Sequence, residues 1–230
     1  MTAAVFKPVA DHAVLVQLGD QISDDLTARV QALDRAINAQ MPQGVQETIP
    51  AFVNLLVEFD PLVTDHARIE AAIRPLLKNT SKAESTGRTH EVEVCYDGDD
   101  LAPDLMRVAE ATGQSVEAAI NMHLAAEFSV GMYGFAPGYA YLSGLPEKLQ
   151  VPRKPAAVRD IAAGSVLIAG PQCLVTTLKM PTGWSIIGRS ATRILRDDPA
   201  RPFPFDVGDR VKFVRIDRST LERAQTGGER

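Results

Sequence analysis

The pattern of apolar and polar positions divides the chain into a first part with helical periods and a second part of short strands and turns. Ala13 to Leu18 is a short apolar run closed by Gly19-Asp20, which predicts a buried strand. Leu26, Val30, Leu33 and Ile37 follow on one face of a 3.6-residue period, with Ser23 or Asp24 to cap that helix and Pro42 and Gly44 to stop it. Val45 to Ile49 and Phe52 to Phe59 read as strands separated by Pro50-Ala51, and Ile69, Ile73, Leu76 and Leu77 mark a second helix from about Asp65 to Leu77. The order βαββα predicts a ferredoxin-like sandwich if His90 to Cys95 supplies the last strand. That run suits the opening of a second domain equally well.

The polar stretch Lys78 to Arg88 has no apolar period and is the predicted linker. Beyond it, residues 100–112 and 115–128 read as helices joined at Gly113, with Ser115 as N-cap and Val116, Ile120 and Leu124 as the buried stripe. From Val130 onward, short strands at 165–169, 174–178, 185–188 and 210–216 alternate with Gly/Pro turns, which favours an antiparallel barrel or sandwich. The expected organisation is an N-terminal α+β domain over 1–87, a β-barrel domain over 88–220 and a flexible polar tail over 221–230.

Composition narrows the class. With 230 residues, 45% of them hydrophobic and 23% charged, the chain has globular rather than disordered character. Its length supports a core without disulfide or metal staples. Two cysteines, Cys95 and Cys173, point to a reducing compartment, and hence to the cytoplasm. No apolar run approaches the roughly 20 residues of a membrane span, and the N-terminus lacks the basic-then-apolar order of a signal peptide. The net charge of −5 argues against nucleic acid as a partner. That charge is unevenly placed: residues 1–130 carry 9 basic and 20 acidic side chains, residues 131–230 carry 15 and 9.

Several residues could carry chemistry. The stretch Gly131 to Tyr139 (GMYGFAPGY) has neither a phosphate-loop ending nor a dinucleotide fingerprint, but its glycines allow positive φ or close approach of a ligand, and Pro137 stiffens it. The plain alternative is a tight turn with aromatic packing. Arg153, Lys154, Arg159, Lys179 and Arg189 lie beside turns in the basic half and suit an anionic substrate; the alternative is a solvated surface. His123 and Glu127 are i,i+4 neighbours, so the carboxylate could orient the imidazole as a general base; the alternative is a helical ion pair or a packed histidine. Cys173 is a candidate nucleophile with His123 as base, against the commoner small buried cysteine. Gln172 is either a turn cap or a substrate amide contact. The four histidines show no zinc-type spacing, and no metal site is predicted.

The segment Glu127 to Gly144 (EFSVGMYGFAPGYAYLSG) resembles the family of allophanate hydrolase subunit 1, the 5-oxoprolinase B-type subunits and the sporulation kinase A inhibitor. In order, Pro152-Arg153-Lys154 with Arg159, Ala163 to Val166 with Ile168-Ala169-Gly170 and Gln172, Gly183-Trp184, Ile187-Gly188-Arg189, and Gly208 to Phe213 extend the likeness. The resemblance implies a cyclophilin-like β-barrel after the N-terminal α+β domain. It implies as partner a second carboxyltransferase-type subunit, like the C-type component of 5-oxoprolinase, with a protein like its A-type component as the third member. It also implies ATP-dependent opening of 5-oxoproline to glutamate, or related allophanate or urea-type carboxyl transfer. ATP is expected at the level of the complex, with magnesium arriving through a partner, and the substrate is a small anionic amide. Carried over, His123, Arg153 and Arg189 become catalytic, and Phe135, Pro137, Gln172, Gly183 and Trp184 substrate-binding. The alternative within the same family is a non-catalytic module that inhibits a sensor histidine kinase. The run from Gln172 to Trp184 departs from the family's usual form: a Tyr-Pro is missing, and Thr182 replaces a glycine.

Overall fold

A computed structural model of the chain describes residues 4–78 and 87–227 and divides into two compact units, 1–86 and 87–230. Most of the predicted linker, residues 79–86, lies outside the described residues.

The first unit is a four-stranded antiparallel sheet of β1 (Val5–Val9), β2 (Ala13–Gln17), β3 (Val45–Pro50) and β4 (Asn54–Phe59), in the order β1-β2-β4-β3, with helices α1 (Asp24–Gln40) and α2 (His66–Ile73). Val14, Val16, Leu55 and Val57 from the sheet meet Leu33, Ile37, Ile69 and Ile73 from the helices in one core. Ser23 Oγ accepts the Leu26 N–H at 3.3 Å to start α1, and Met41 ends it in the left-handed region at φ 44°. Asp65 caps α2, which ends at Ile73 rather than Leu77, because Pro75 has no N–H to continue the ladder. The place next to β2 that His90–Cys95 could have taken is filled by β1. Its exposed edge position and its Pro8 hide it from a search for apolar runs.

The second unit is a closed seven-stranded barrel of β5 (Thr89–Cys95), β6 (Phe128–Tyr133), β7 (Ala140–Ser143), β9 (Ser165–Ala169), β10 (Gln172–Val175), β12 (Ser185–Ser190) and β13 (Arg210–Arg215), running β10-β7-β6-β13-β5-β12-β9. The expectation of a wholly antiparallel barrel is corrected at one seam: β13 pairs with β5 in parallel, from Arg210 opposite Thr89 to Arg215 opposite Val94. A ribbon of β8 (Val158–Ile161) and β11 (Met180–Thr182) stands apart from the barrel hydrogen bonding. Helices α3 (Leu105–Ala111) and α4 (Val116–Ala125) precede β6. Through Gly227 the expected flexible tail is instead helix α5 (Arg218–Gly227), capped where Asp217 Oδ1 accepts the Thr220 N–H at 2.8 Å and anchored by buried Leu221, while residues 228–230 lie outside the described residues.

The two-residue period of the strands gives this barrel two apolar layers. Val92, Val130, Leu142, Val166, Ile168, Cys173, Val175 and Val211 fill the interior. Leu167, Ala169 and Leu174, and Ile186 beside interior Ile187, belong to the other layer, where they pack with Tyr139, Trp184 and Ile161 of the ribbon. The second layer positions the site.

Candidate functional site

Outside the barrel wall, a cleft of about 220 Å³ opens among Phe135, Tyr139, Tyr141, Arg153, Leu167, Leu174, Pro181, Thr182, Gly183 and Trp184. Leu167 and Leu174 form its apolar floor from adjacent strands, Pro181 and Thr182 come from the ribbon, and the 134–139 turn brings Phe135 to the rim. That turn is closed by Gly134 N–H to Tyr139 O at 3.2 Å and Tyr139 N–H to Ala136 O at 3.1 Å. Phe135 sits there at φ 71°, a conformation that costs a non-glycine residue roughly 1 kcal/mol or more, with the residue 74% exposed. Gly138 at φ 75° is required: a Cβ would lie 2.9 Å from Thr177 Cγ2.

Arg153 is the one charged side chain on the cleft wall among the described residues. Its guanidinium lies over Trp184, 5.6 Å from the ring centroid, and it has no carboxylate partner among the described residues. Its neighbour Lys154 holds it there. Lys154 N–H donates to Gly183 O at 2.6 Å, which ties the 152–154 segment to the Gly183-Trp184 turn. Lys154 Nζ lies 2.5 Å from Asp104 Oδ2, with both side chains nearly buried. Asp104 Oδ2 also accepts the Ile186 N–H at 2.8 Å, and Arg107 bridges Asp104 to Ser185 Oγ. One carboxylate at the start of α3 thus fixes both loops that present Arg153 and Trp184. Thr182, where the family usually has glycine, fits without strain. It sits in β11 without positive φ, and its Oγ1 accepts the Trp184 N–H at 3.1 Å.

The polar groups of the cleft differ in state. Tyr139 donates its hydroxyl to Met180 Sδ, and burial pushes its pKa up to about 12. Burial also raises Tyr141, against a smaller opposing pull from the Arg153 charge. Both are therefore neutral phenols at physiological pH.

Other sequence candidates lie elsewhere. His123 is fully buried inside the barrel, against Tyr96, Phe128 and Phe213. The Tyr96 hydroxyl is 2.7 Å from its Nδ1 and Cys173 Sγ is 3.5 Å from its Nε2. Desolvation drops its pKa to about 3 and pushes the Cys173 thiol up. Neither a general base nor a thiolate nucleophile is reachable there, so the structure assigns both residues to the core. The expected pairing with Glu127 fails because α4 ends at Ala125 and Glu127 is exposed at the turn into β6. Arg189 is half-buried on β12, away from the cleft, with Nε unpartnered and its pKa lowered by desolvation. Gln172 opens β10 opposite Ala169 and Ser143, and Lys179 pairs with Asp160 on the surface. Pro137 braces the site instead of lining it, its carbonyl accepting from Thr177 Oγ1 at 2.6 Å. Arg153, Trp184, Gly183 and Phe135 do converge. Sequence reasoning reached Tyr139 only as the end of the Gly-rich stretch and missed Tyr141, although their i,i+2 spacing points both side chains to one side where the chain enters β7.

The carboxyltransferase domain, subdomain C and D, matches residues 4–205. The chain belongs to that family. The B-type subunit of 5-oxoprolinase from Bacillus subtilis (strain 168) is 33% identical over 222 residues, covering 90% of this chain and 91% of its own. The crystal structure of TTHA0988 superposes with a TM-score of 0.77 at 30% identity, over 90% of this chain; this chain spans 40% of the length of that one. The urea carboxylase of Kluyveromyces lactis gives a TM-score of 0.75 over 95% of this chain and 22% of its own, at 16% identity, a likeness of fold. In this carboxyltransferase unit the cleft does not fit a nucleoside triphosphate. Three phosphates call for several cations or a backbone nest, and the wall offers one guanidinium. No group of three His, Cys, Asp or Glu that could hold a metal ion occurs among the described residues. No described helix is long and apolar enough to cross a membrane.

Proposed function

We propose that the chain is the B-type subunit of a 5-oxoprolinase hydrolase and that its cleft holds the carboxylate substrate while partner subunits supply the remaining chemistry. One observation carries this reading: a guanidinium with no carboxylate partner among the described residues, lying over Trp184, in an apolar cleft of a size for one small ligand. Arg153 would take the substrate carboxylate through two parallel N–H donors. Trp184, Phe135 and Leu174 would hold the face of a small ring, and the shielded wall strengthens the charge contact. Opening 5-oxoproline adds water across the lactam C–N bond, the oxygen going to the carbonyl carbon and a proton to the nitrogen. ATP, which the cleft does not suit, would then be used elsewhere in the complex, with any magnesium.

The regulatory alternative expected an exposed apolar patch without a polar cleft, and the charged cleft favours the hydrolase reading. The test is glutamate release from 5-oxoproline and ATP by the reconstituted subunits. Arg153→Gln should reduce kcat/KM by about 10- to 100-fold, the range for loss of a charge-assisted contact. Full activity in that variant would refute the assignment, as would a wild-type chain that forms no complex with the other subunits.

A further inference from the structure

The two tyrosines of the cleft have different commitments. They stand two residues apart, one on the approach to β7 and one within it, and both reach the outer apolar layer. Tyr139 is fully buried and its hydroxyl is spent on Met180 Sδ. Tyr141 is half-buried, with its ring edge-on to Trp184 at 5.9 Å. Its hydroxyl has no hydrogen-bond partner among the described residues, and it is close enough to feel the charge of Arg153. A tyrosine that packs its ring in a core normally gives its hydroxyl to protein or water. Here that hydroxyl is left to the cleft, next to a cation that is also without an acidic partner.

We propose that Tyr141 is a ligand-contacting, specificity-determining residue: its phenol donates a hydrogen bond to a second oxygen of the ligand whose carboxylate is held by Arg153. This inference rests on the reading of the cleft as the 5-oxoproline site. It adds that the cleft reads its ligand at two points, the carboxylate at Arg153 and the ring carbonyl at Tyr141. A phenol donates one hydrogen bond and cannot replace a guanidinium, so the two residues make separable contributions. A ligand with the carboxylate and the ring but no ring oxygen would satisfy Arg153 and leave Tyr141 without its acceptor.

Trp184 is the sole tryptophan of the chain, so its fluorescence reports on this cleft directly. The full-length chain is titrated with 5-oxoproline and with cyclopentanecarboxylate, which has the same ring size and carboxylate but neither the ring carbonyl nor the ring N–H. Wild type should prefer 5-oxoproline by roughly 5- to 10-fold, the worth of one neutral hydrogen bond. Tyr141→Phe should weaken 5-oxoproline by about the same factor and leave cyclopentanecarboxylate unchanged. Arg153→Gln should weaken both ligands together. A Tyr141→Phe variant that keeps the wild-type preference, or weakens both ligands equally, overturns the role of Tyr141 while the cleft assignment stands. Failure of wild type to bind 5-oxoproline overturns the cleft assignment and this inference with it. Melting temperature guards against a general packing effect: Tyr141→Phe keeps the ring and should melt as wild type does, and a lost preference accompanied by a clearly lowered melting temperature counts against the donor role.

Discussion

Lys154 and Arg153 are adjacent basic residues with opposite assignments, and the difference is set by Asp104. Nearly buried ion pairs add little net stability, because removing both charges from water offsets their attraction. Their use is to fix geometry, and here the pair fixes the backbone on either side of the cleft. Lys154→Met leaves the Asp104 carboxylate only the longer, more exposed Arg107 contact and should cost about 2 kcal/mol in urea unfolding, less than the roughly 3–5 kcal/mol of a buried charge left with no partner. Adding Asp104→Asn should recover part of that loss, since the stranded charge is gone. An unaltered Lys154→Met stability would show that solvent reaches Asp104 freely. His123 allows a second prediction. Its native pKa of about 3 lies below its ordinary value of 6.5, so the unfolded chain binds a proton over that interval that the native chain does not. The neutral imidazole therefore contributes fully above pH 6.5, and its contribution falls by up to about 1.4 kcal/mol per pH unit as pH drops below it. Its facing groups, Tyr96 and Cys173, carry no charge in that range, because burial raises both. The double variant Tyr96→Phe/His123→Leu should lose stability less steeply than wild type between pH 6.5 and 5 in denaturant titrations. Equal slopes would place the imidazole's protonation elsewhere.

Among the elements, caps and turns separate what the sequence pattern could reveal from what it could not. Ser115 Oγ accepts the Ala118 N–H at 3.1 Å, as its position before an apolar helical stripe foretold, and Ser115→Ala should cost about 1 kcal/mol. Gly144 looks from sequence like one more loop glycine. In the structure it has φ 110°, and a Cβ would sit 2.3 Å from Glu127 O, at the point where β6 and β7 come together. Gly144→Ala should therefore cost roughly 2 kcal/mol or more, clearly above the cap variant in the same thermal melts. Helix α1 was legible because one face of it is wet, and that contrast writes a period into the sequence; the stripe expected on α4 was misplaced, since Ala119, Ile120 and His123 are its buried residues while Val116 is exposed and Leu124 only partly buried. Strands β9 and β10 are buried on both faces, so they were legible as apolar runs while the face each residue serves was hidden. This is why Leu167 and Leu174 were not read as cleft floor. Arg153 was already a candidate as a basic residue beside a turn, whereas Gly183 and Trp184 were found by their likeness to a family motif; spacing alone would not have joined residues so far apart in the chain. His123 misled because i,i+4 spacing presumes a helix that runs on through Glu127.

At the scale of the whole chain, the charge asymmetry and the separation into units turn out to be different things. The basic character of residues 131–230 does not concentrate at the cleft. Arg215 pairs with Glu117 and Asp97, Arg218 with Asp100 and Lys154 with Asp104, so much of it is matched by the acidic segment of the same unit that carries α3 and α4. These contacts are internal to residues 87–227, as is the strand ladder. If Thr89–Cys95 had completed the first sheet, cutting the chain would have opened both units. Because β1 fills that place and β5 pairs with β12 and β13, each unit completes its own sheet, an open one in the first and a closed barrel in the second, and has its own core. A chain segment whose main sheet is a closed barrel and whose core is its own meets the requirements for folding by itself. Residues 87–230 expressed alone should therefore melt in one cooperative transition. They should also keep the emission of a buried Trp184 and bind 5-oxoproline within about threefold of the full-length affinity, a difference below about 1 kcal/mol. Gly87 has to be retained at the new N-terminus, since any Cβ there would lie 1.9 Å from Gly208 O. An aggregated or non-cooperative product with Gly87 in place would mean that the barrel depends on the first unit for its stability. A cooperative product that no longer binds, when full-length chain does, would mean that the first unit contributes to recognition, and the assignment of the ligand to the barrel wall would have to be widened.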